Sequence, residues 1–236
     1  MSVILTDDGY RDEGGKLYDR VTEVCRLVYV DDPFQFVTPE TLEKASERGS
    51  AIHRLTSNEA EPGDEEWRDW AEGWLNFLSD TQYQEIASER TVHHYIYGYA
   101  GTLDSFGIMP PTLAHFSVGR NCVVEKKTTR TLPLTIGLQT AAYQAAINSE
   151  IDTRALIAQP CRARYVVWLR PEFTRGYKLI GELDKVLING CQTPLMGQAD
   201  WQTFIGLLSV KRWRERYLKA PKRKTEDKQV EEITFR

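Results

Sequence analysis

Two acids about twenty residues apart, each closing an apolar run, constrain this chain more than anything else in it. Gly101-Thr-Leu-Asp104 ends one run, and Val123-Val-Glu125-Lys-Lys127 ends another. If the two runs pair as neighbouring strands, Asp104 and Glu125 meet at one edge of a sheet. Lys127, two residues after Glu125, then points to the same face, and Lys126 points away, toward solvent or a ligand. A carboxylate inside an apolar strand is costly unless something compensates it. Two carboxylates and an ammonium converging on one place suit a cation held between the acids. That chemistry is metal-assisted hydrolysis of phosphate esters. Leu134 to Asn148 reads as the helix that follows, with Gln139 and Tyr143 four apart on one face. Its alanines at 141, 142, 145 and 146 permit close packing on the sheet.

The rest of the chain supplies the frame. Residues 1–20 are polar and glycine-bearing and read as a loose arm. Thr22 to Val30 reads as a short docking helix. Thr38-Pro39-Glu40 is a helix start, with Thr38 as N-cap and Pro39 in the first turn, for a helix running to about Leu55. Leu42, Ala45, Gly49, Ile52 and His53 lie along one stripe of it. Gly49 would let another backbone approach, and His53 sits at the stripe's edge. Asp64 to Phe77 is helical, and Trp67, Trp70, Trp74 and Phe77 share a face that reads as core before it reads as a base-stacking surface. Thr91–Tyr95 and Tyr99–Ile108 read as antiparallel strands, with His93 and His94 as surface residues. Gly101, three before Asp104, suggests a bulge or a nearby ligand. Ala114–Gly119 holds a turn, Asn121–Thr128 is the central strand, and Arg164–Leu169 and Gly176–Leu183 are further strands. Asp200 is the expected cap of the last helix, and Lys222–Arg236 reads as a disordered tail.

In order and spacing, Asp104, Glu125-x-Lys127 and Gln139-x-x-x-Tyr143, with Arg48-Gly49-Ser50-Ala51-Ile52-His53 and Glu89 upstream, resemble the PD-(D/E)xK nuclease superfamily. The pattern is most similar to its RecB-like branch, which includes many phage exonucleases, and it runs from about Thr22 to Trp213. The resemblance implies an α/β (α+β) fold: a central mixed β-sheet flanked by helices, a restriction-endonuclease-like core with an N-terminal helical region. It implies one domain over 1–236, with a helical part to 88, a nuclease core over 89–220 and the tail beyond. It implies Mg²⁺ or Mn²⁺ held by His53, Asp104, Glu125 and the backbone carbonyl of Lys126. Glu89 would hold the metal, position the histidine or form an ion pair. Lys127 would orient water or support the phosphate, and Gln139 and Tyr143 would reach back to the site. Thr128, Thr129 and Arg130 in a loop would contact DNA phosphates. The cationic end of the last helix, with Lys211, Arg212 and Arg214, would line DNA or simply complement the helix dipole. The expected activity is DNA hydrolysis, with an exonuclease of phage or bacterial recombination preferred to a structure-specific endonuclease. An annealing protein and further copies of the chain would be its partners, in a bacterial or phage-infected host cytoplasm.

Composition bounds this reading. The chain has 236 residues, 41% of them hydrophobic, enough for a sizeable core. Its formal net charge of −4 is not that of a general nucleic-acid binder, so any DNA surface must be local. Cys25, Cys122, Cys161 and Cys191 lack zinc-finger spacing and the tight late group of the family's iron–sulfur members, so no cluster is expected. No apolar run is long enough for a membrane span, and no secretory signal opens the sequence. Two rivals stand beside the nuclease reading. One is a fold of this kind that only binds DNA or a protein. The other is a hydrolase of small phosphoesters, with a closed pocket and no basic track.

Overall fold

The computed structural model describes residues 2–31, 33–57, 59–111, 120–150, 160–181, 185–188, 191–194 and 197–218. Three short strands open the chain: β1 (Val3–Thr6), β2 (Gly9–Asp12) and β3 (Leu17–Arg20). Four helical elements follow: α1 (Val21–Arg26), α2 (Pro39–Thr56), a 3-10 turn (Asp64–Trp67) and α3 (Arg68–Thr81). Then come β4 (Gln84–His94), β5 (Tyr99–Met109), β6 (Arg120–Lys127), α4 (Ile136–Ser149), β7 (Ala163–Leu169) and β8 (Tyr177–Gly181). A two-stranded ladder of β9 (Lys185–Ile188) and β10 (Cys191–Pro194) precedes α5 (Gly197–Tyr217).

Eight strands form one mixed sheet in the order β1-β2-β3-β5-β6-β7-β8, with β4 also paired to β5. The β3–β5 and β6–β7 pairs are parallel and the rest antiparallel. Strand β5 is the hub. One side of it carries β4 along its length, while the other carries β3 at Tyr99 and Ala100 and β6 from Ser105 to Met109. Helices cover both faces, giving three layers. On one face α1, α4 and α5 pack through Val24, Leu138, Tyr143 and Phe204 onto Leu103, Phe106 and Val123. On the other, Ile52 of α2 and Trp74 and Phe77 of α3 pack onto Cys122, Val124 and Val167. Each of these fully buried aromatic side chains contributes roughly 1.5–3 kcal/mol.

Local chemistry accounts for most of these elements. Thr38 accepts the Thr41 N–H at 3.3 Å and caps α2, whose first two residues are Pro39 and Glu40. The tryptophan stripe is core, with Trp74 and Phe77 buried and Trp67 and Trp70 packed against them. Where Trp faces remain, cations take them: the Arg48 guanidinium lies 4.7 Å from the Trp70 ring and the Lys126 ammonium 4.9 Å from that of Trp74.

The structure corrects several expectations. Residues 3–20 are no loose arm: Tyr10 and Tyr18 are buried, and β3 joins the main sheet. His94 is buried against Trp201, with ring centroids 5.8 Å apart, and His93 lies beside the carboxylate of Glu150, so neither is a surface strand residue. Among the described residues no atom lies near enough to Gly49 for a close backbone approach. Asp200 sits inside the first turn of α5 and pairs with the fully buried Arg164 at 3.0 Å instead of capping the helix. The Ala114–Gly119 turn and the Lys222–Arg236 tail lie outside the described residues. Cys25, Cys122 and Cys161 are buried. Among the described residues no helix is long and apolar enough to cross a membrane.

Candidate metal centre

The last registered pair between β5 and β6 is Ser105 with Val124. One step further the two strands part, and there Asp104 faces Glu125. The alternation of β5 slips at this point. Leu103 faces the α4 layer, whereas Ser105 bonds the Tyr83 hydroxyl in the opposite layer at 2.9 Å. Across the ladder, Glu89 of β4 has φ of +47°, the left-handed region that a non-glycine residue adopts only under constraint. Irregularities of this sort re-aim side chains beside functional sites. Here they bring Glu89 and Asp104 under α2, where His53 meets them.

The contacts are short. His53 Nδ1 and Glu89 Oε1 are 2.7 Å apart, and His53 Nδ1 and Asp104 Oδ1 are 3.8 Å apart. Ligand atoms of His53, Glu89 and Asp104 all lie within 4.8 Å of one another. The backbone N–H of Lys126 donates to Asp104 Oδ2 at 2.6 Å. On the next face of β6, the Lys127 ammonium and the Gln139 amide both donate to Glu125 Oε1 at 2.6 Å. Gln139 also reaches the Tyr143 hydroxyl at 3.3 Å. The second oxygen of Glu125, Oε2, is buried without a hydrogen-bond partner among the described residues, on a side chain only 1% exposed.

Electrostatics follow from this geometry. Burial pushes Glu125 up to about 7, and the charge of Asp104 adds to the shift against the pull of Lys127. Burial works against a charged Lys127, but Glu125 and Asp104 outweigh it and hold the ammonium above its ordinary value. Burial likewise opposes a charged His53, and the Glu89 hydrogen bond with the Asp104 charge reverses this, so its pKa is raised. Glu89 is lowered: burial would raise it, and His53 and Lys126 prevail. Burial and Glu125 push the Tyr143 hydroxyl well above its usual range, so it stays neutral while it accepts from the Gln139 amide.

Seven of the residues read from the sequence therefore converge: His53, Glu89, Asp104, Glu125, Lys127, Gln139 and Tyr143. Lys126 was expected to point its side chain to solvent or a ligand. It is instead 2% exposed, sealed in by α2 and α3, with its ammonium 2.8 Å from Thr56 Oγ1 and 3.6 Å from Glu89. Gly101 marks neither bulge nor ligand. A Cβ there would lie 2.7 Å from the Tyr143 ring, so the glycine makes room for that side chain. The basic residues lie in other surroundings. Lys211 and Arg212 pair with Asp19, and Arg212 also bonds the carbonyls of Tyr97 and Gly98. Arg214 is exposed, as are Thr129 and Arg130, whose carbonyls accept from Trp168 and Arg170, and the Thr128 carbonyl accepts from Arg48. Thr56 and the side chain of Lys126 escaped the sequence reading. The signal for Lys126 was available: Val123 and Val124 bury both faces of β6, so its neighbours had no solvent side. Beside the centre, an open groove of about 560 Å³ runs along α2, lined by Ser46, Gly49, Ser50, His53, Arg54, Glu59 and Glu89.

No family model matches the chain, and no curated protein matches it. Among solved structures, one described as the crystal structure of SSO0001 is 13% identical. It aligns over 86% of this chain and 84% of that one, with a TM-score of 0.35. Another, LHK-Exo in complex with dAMP, is 10% identical over 86% of this chain and 91% of that one, also at 0.35. Likenesses at this level define neither a family nor an activity.

Proposed function

We propose that this chain is a divalent-metal-dependent nuclease of the PD-(D/E)xK kind that hydrolyses phosphodiester bonds in DNA. One observation carries the reading: among the described residues the buried Glu125 Oε2 has no hydrogen-bond partner, on the strand beside Asp104, which itself clusters with Glu89 and His53. An orphaned buried carboxylate oxygen costs about 1–3 kcal/mol or more unless a cation completes it. A set of carboxylates with one imidazole fits a hard, oxygen-seeking ion such as Mg²⁺ or Mn²⁺. Asp104 and Glu125 would hold it, with His53 and the Lys126 carbonyl completing the set, and Glu89 orients His53 through the 2.7 Å contact. Such an ion, when bound, supplies Lewis acidity toward a phosphate and an acidified water.

The chain's own groups divide the remaining work. Lys127 fixes one oxygen of Glu125, and its other N–H groups are free to meet a phosphate oxygen or hold a water in line. Gln139 shares that oxygen and is braced by Tyr143, so Glu125 cannot rotate away from the centre. The groove along α2 gives a nucleic-acid strand access to the centre. Thr128, Thr129, Arg130 and the exposed Arg214 are the phosphate contacts of this proposal, with Lys211 and Arg212, paired to Asp19, as secondary ones. We take an exonuclease acting beside an annealing protein in phage or bacterial recombination, as one nuclease domain able to self-associate, as the specific form.

The test uses purified full-length protein with end-labelled linear duplex and with closed circular single strands, in Mg²⁺, in Mn²⁺ and in EDTA, beside Glu125→Ala. Metal-dependent loss of the linear DNA alone, absent in the variant, is the expected result. Cleavage of the circle would make the enzyme an endonuclease. No cleavage under any metal would overturn the nuclease reading in favour of a protein that only binds.

A further inference from the structure

The side chain of Lys126 is the least expected feature of this centre. It follows Glu125 directly, on the face of β6 opposite Lys127, and is 2% exposed. Burying an ammonium is unfavourable unless its charge is answered. Three groups answer it: Thr56 Oγ1 at 2.8 Å, the ring of Trp74 at 4.9 Å and Glu89 Oε1 at 3.6 Å. The same residue's backbone N–H holds Asp104 Oδ2 at 2.6 Å. One residue therefore occupies an oxygen on each of two carboxylates. The Glu89 oxygen it faces is the one that meets His53.

Glu89 and Asp104 each already meet a group of Lys126, Glu89 its ammonium and Asp104 its backbone N–H. A second ion would have to compete with a fixed ammonium for Glu89 and with an N–H for Asp104.

We propose that Lys126 is a built-in counter-charge and positioning residue of the metal centre. It takes the place beside Glu89 that a second cation would use, and so limits the centre to a single divalent ion. This rests on the metal-centre reading above and deepens it. The Lys126 side chain touches neither substrate nor ion and acts through Glu89, while its backbone N–H holds Asp104.

Mn²⁺ titration of the full chain, followed by the paramagnetic resonance of free Mn²⁺, tests this without DNA. Wild type is expected to bind one ion tightly. Lys126→Met keeps the length of the side chain and a contact with Trp74, and Thr56 retains its bonds to the Ile52 and His53 carbonyls. Removing a positive charge close to the site should tighten Mn²⁺ binding by about tenfold or open a second site. Lys126→Gln, with its shorter polar side chain, should shift binding in the same direction. A purely structural lysine predicts the opposite, since its loss would loosen the site and weaken binding. Two tight ions in wild type, or weaker binding in both variants at unchanged melting temperature, would overturn the proposal while leaving metal-dependent cleavage intact. Failure of wild type to bind Mn²⁺ at all would overturn this proposal and the metal centre together.

Discussion

At Glu125 the chain holds a carboxylate where an aliphatic side chain would pack without penalty. Its pKa, pushed up from an ordinary 4.5 to about 7, lies above that of the unfolded chain. The folded protein therefore binds this proton more tightly. The corresponding stability is full below the unfolded value and is lost as pH rises through about 7. A cation favours the ionised carboxylate, and it also favours the neutral imidazole of His53, whose pKa is raised. Both couplings have the same sign. Mn²⁺ should raise the melting temperature more at about pH 8 than at about pH 5.5, and equal shifts at both would contradict the coupling. Lys127→Ala should lower the cleavage rate by about a hundredfold or more while Mn²⁺ still binds, and wild-type turnover in this variant would remove Lys127 from the mechanism. The acids and Lys127 were legible because residue type and spacing fix a strand face. Glu89 entered only through the family resemblance, with its role left open, because its place depends on a left-handed backbone residue that no local pattern announces.

Between elements, the supports of the site can be separated from its chemistry. Gly101 gives Tyr143 its seat, and the added methyl of Gly101→Ala would press on the ring at 2.7 Å. Overpacking of this order should cost about 1–3 kcal/mol in denaturant unfolding and should slow cleavage through Gln139 and Glu125. Unchanged stability would mean that the ring has room to move. Arg164 joins β7 to the Gly137 carbonyl and Thr140 of α4 and to Asp200 of α5. Breaking a buried pair by removing one partner leaves the other charge stranded, so Arg164→Met should cost about 3–5 kcal/mol in the same assay. Elements with long periodic patterns, such as α2, α3, β5, β6 and α4, could be read before the structure was seen. The first three strands could not, because each has only four residues and its partner lies in tertiary contact, with β3 docking on Tyr99 and Ala100. Asp200 was misread as a cap because its local position suits one, while its actual partner, Arg164, is 36 residues away.

Over the whole molecule, a three-layer α–β–α arrangement places the parting of β5 and β6 beside the groove that α2 and Glu89 line. A net charge of −4 gives no general attraction to DNA, so affinity has to come from local cations and from a bound metal ion. Lys211 and Arg212 are already held by Asp19, whereas Arg130 and Arg214 are exposed. Replacing Arg130 and Arg214 together by Ala should weaken DNA binding and reduce its salt dependence by about two phosphate contacts. Replacing Lys211 should lower stability first. A reversed pattern would move the DNA track toward the N-terminal strands. The account as a whole depends on an ion between Asp104 and Glu125. Anomalous diffraction from Mn²⁺-soaked crystals locates such an ion directly. The predicted peak lies within metal–oxygen bonding distance, about 2.0–2.3 Å, of Asp104 and the second oxygen of Glu125. A peak elsewhere, or none while that oxygen gains a protein hydrogen bond, would contradict the account.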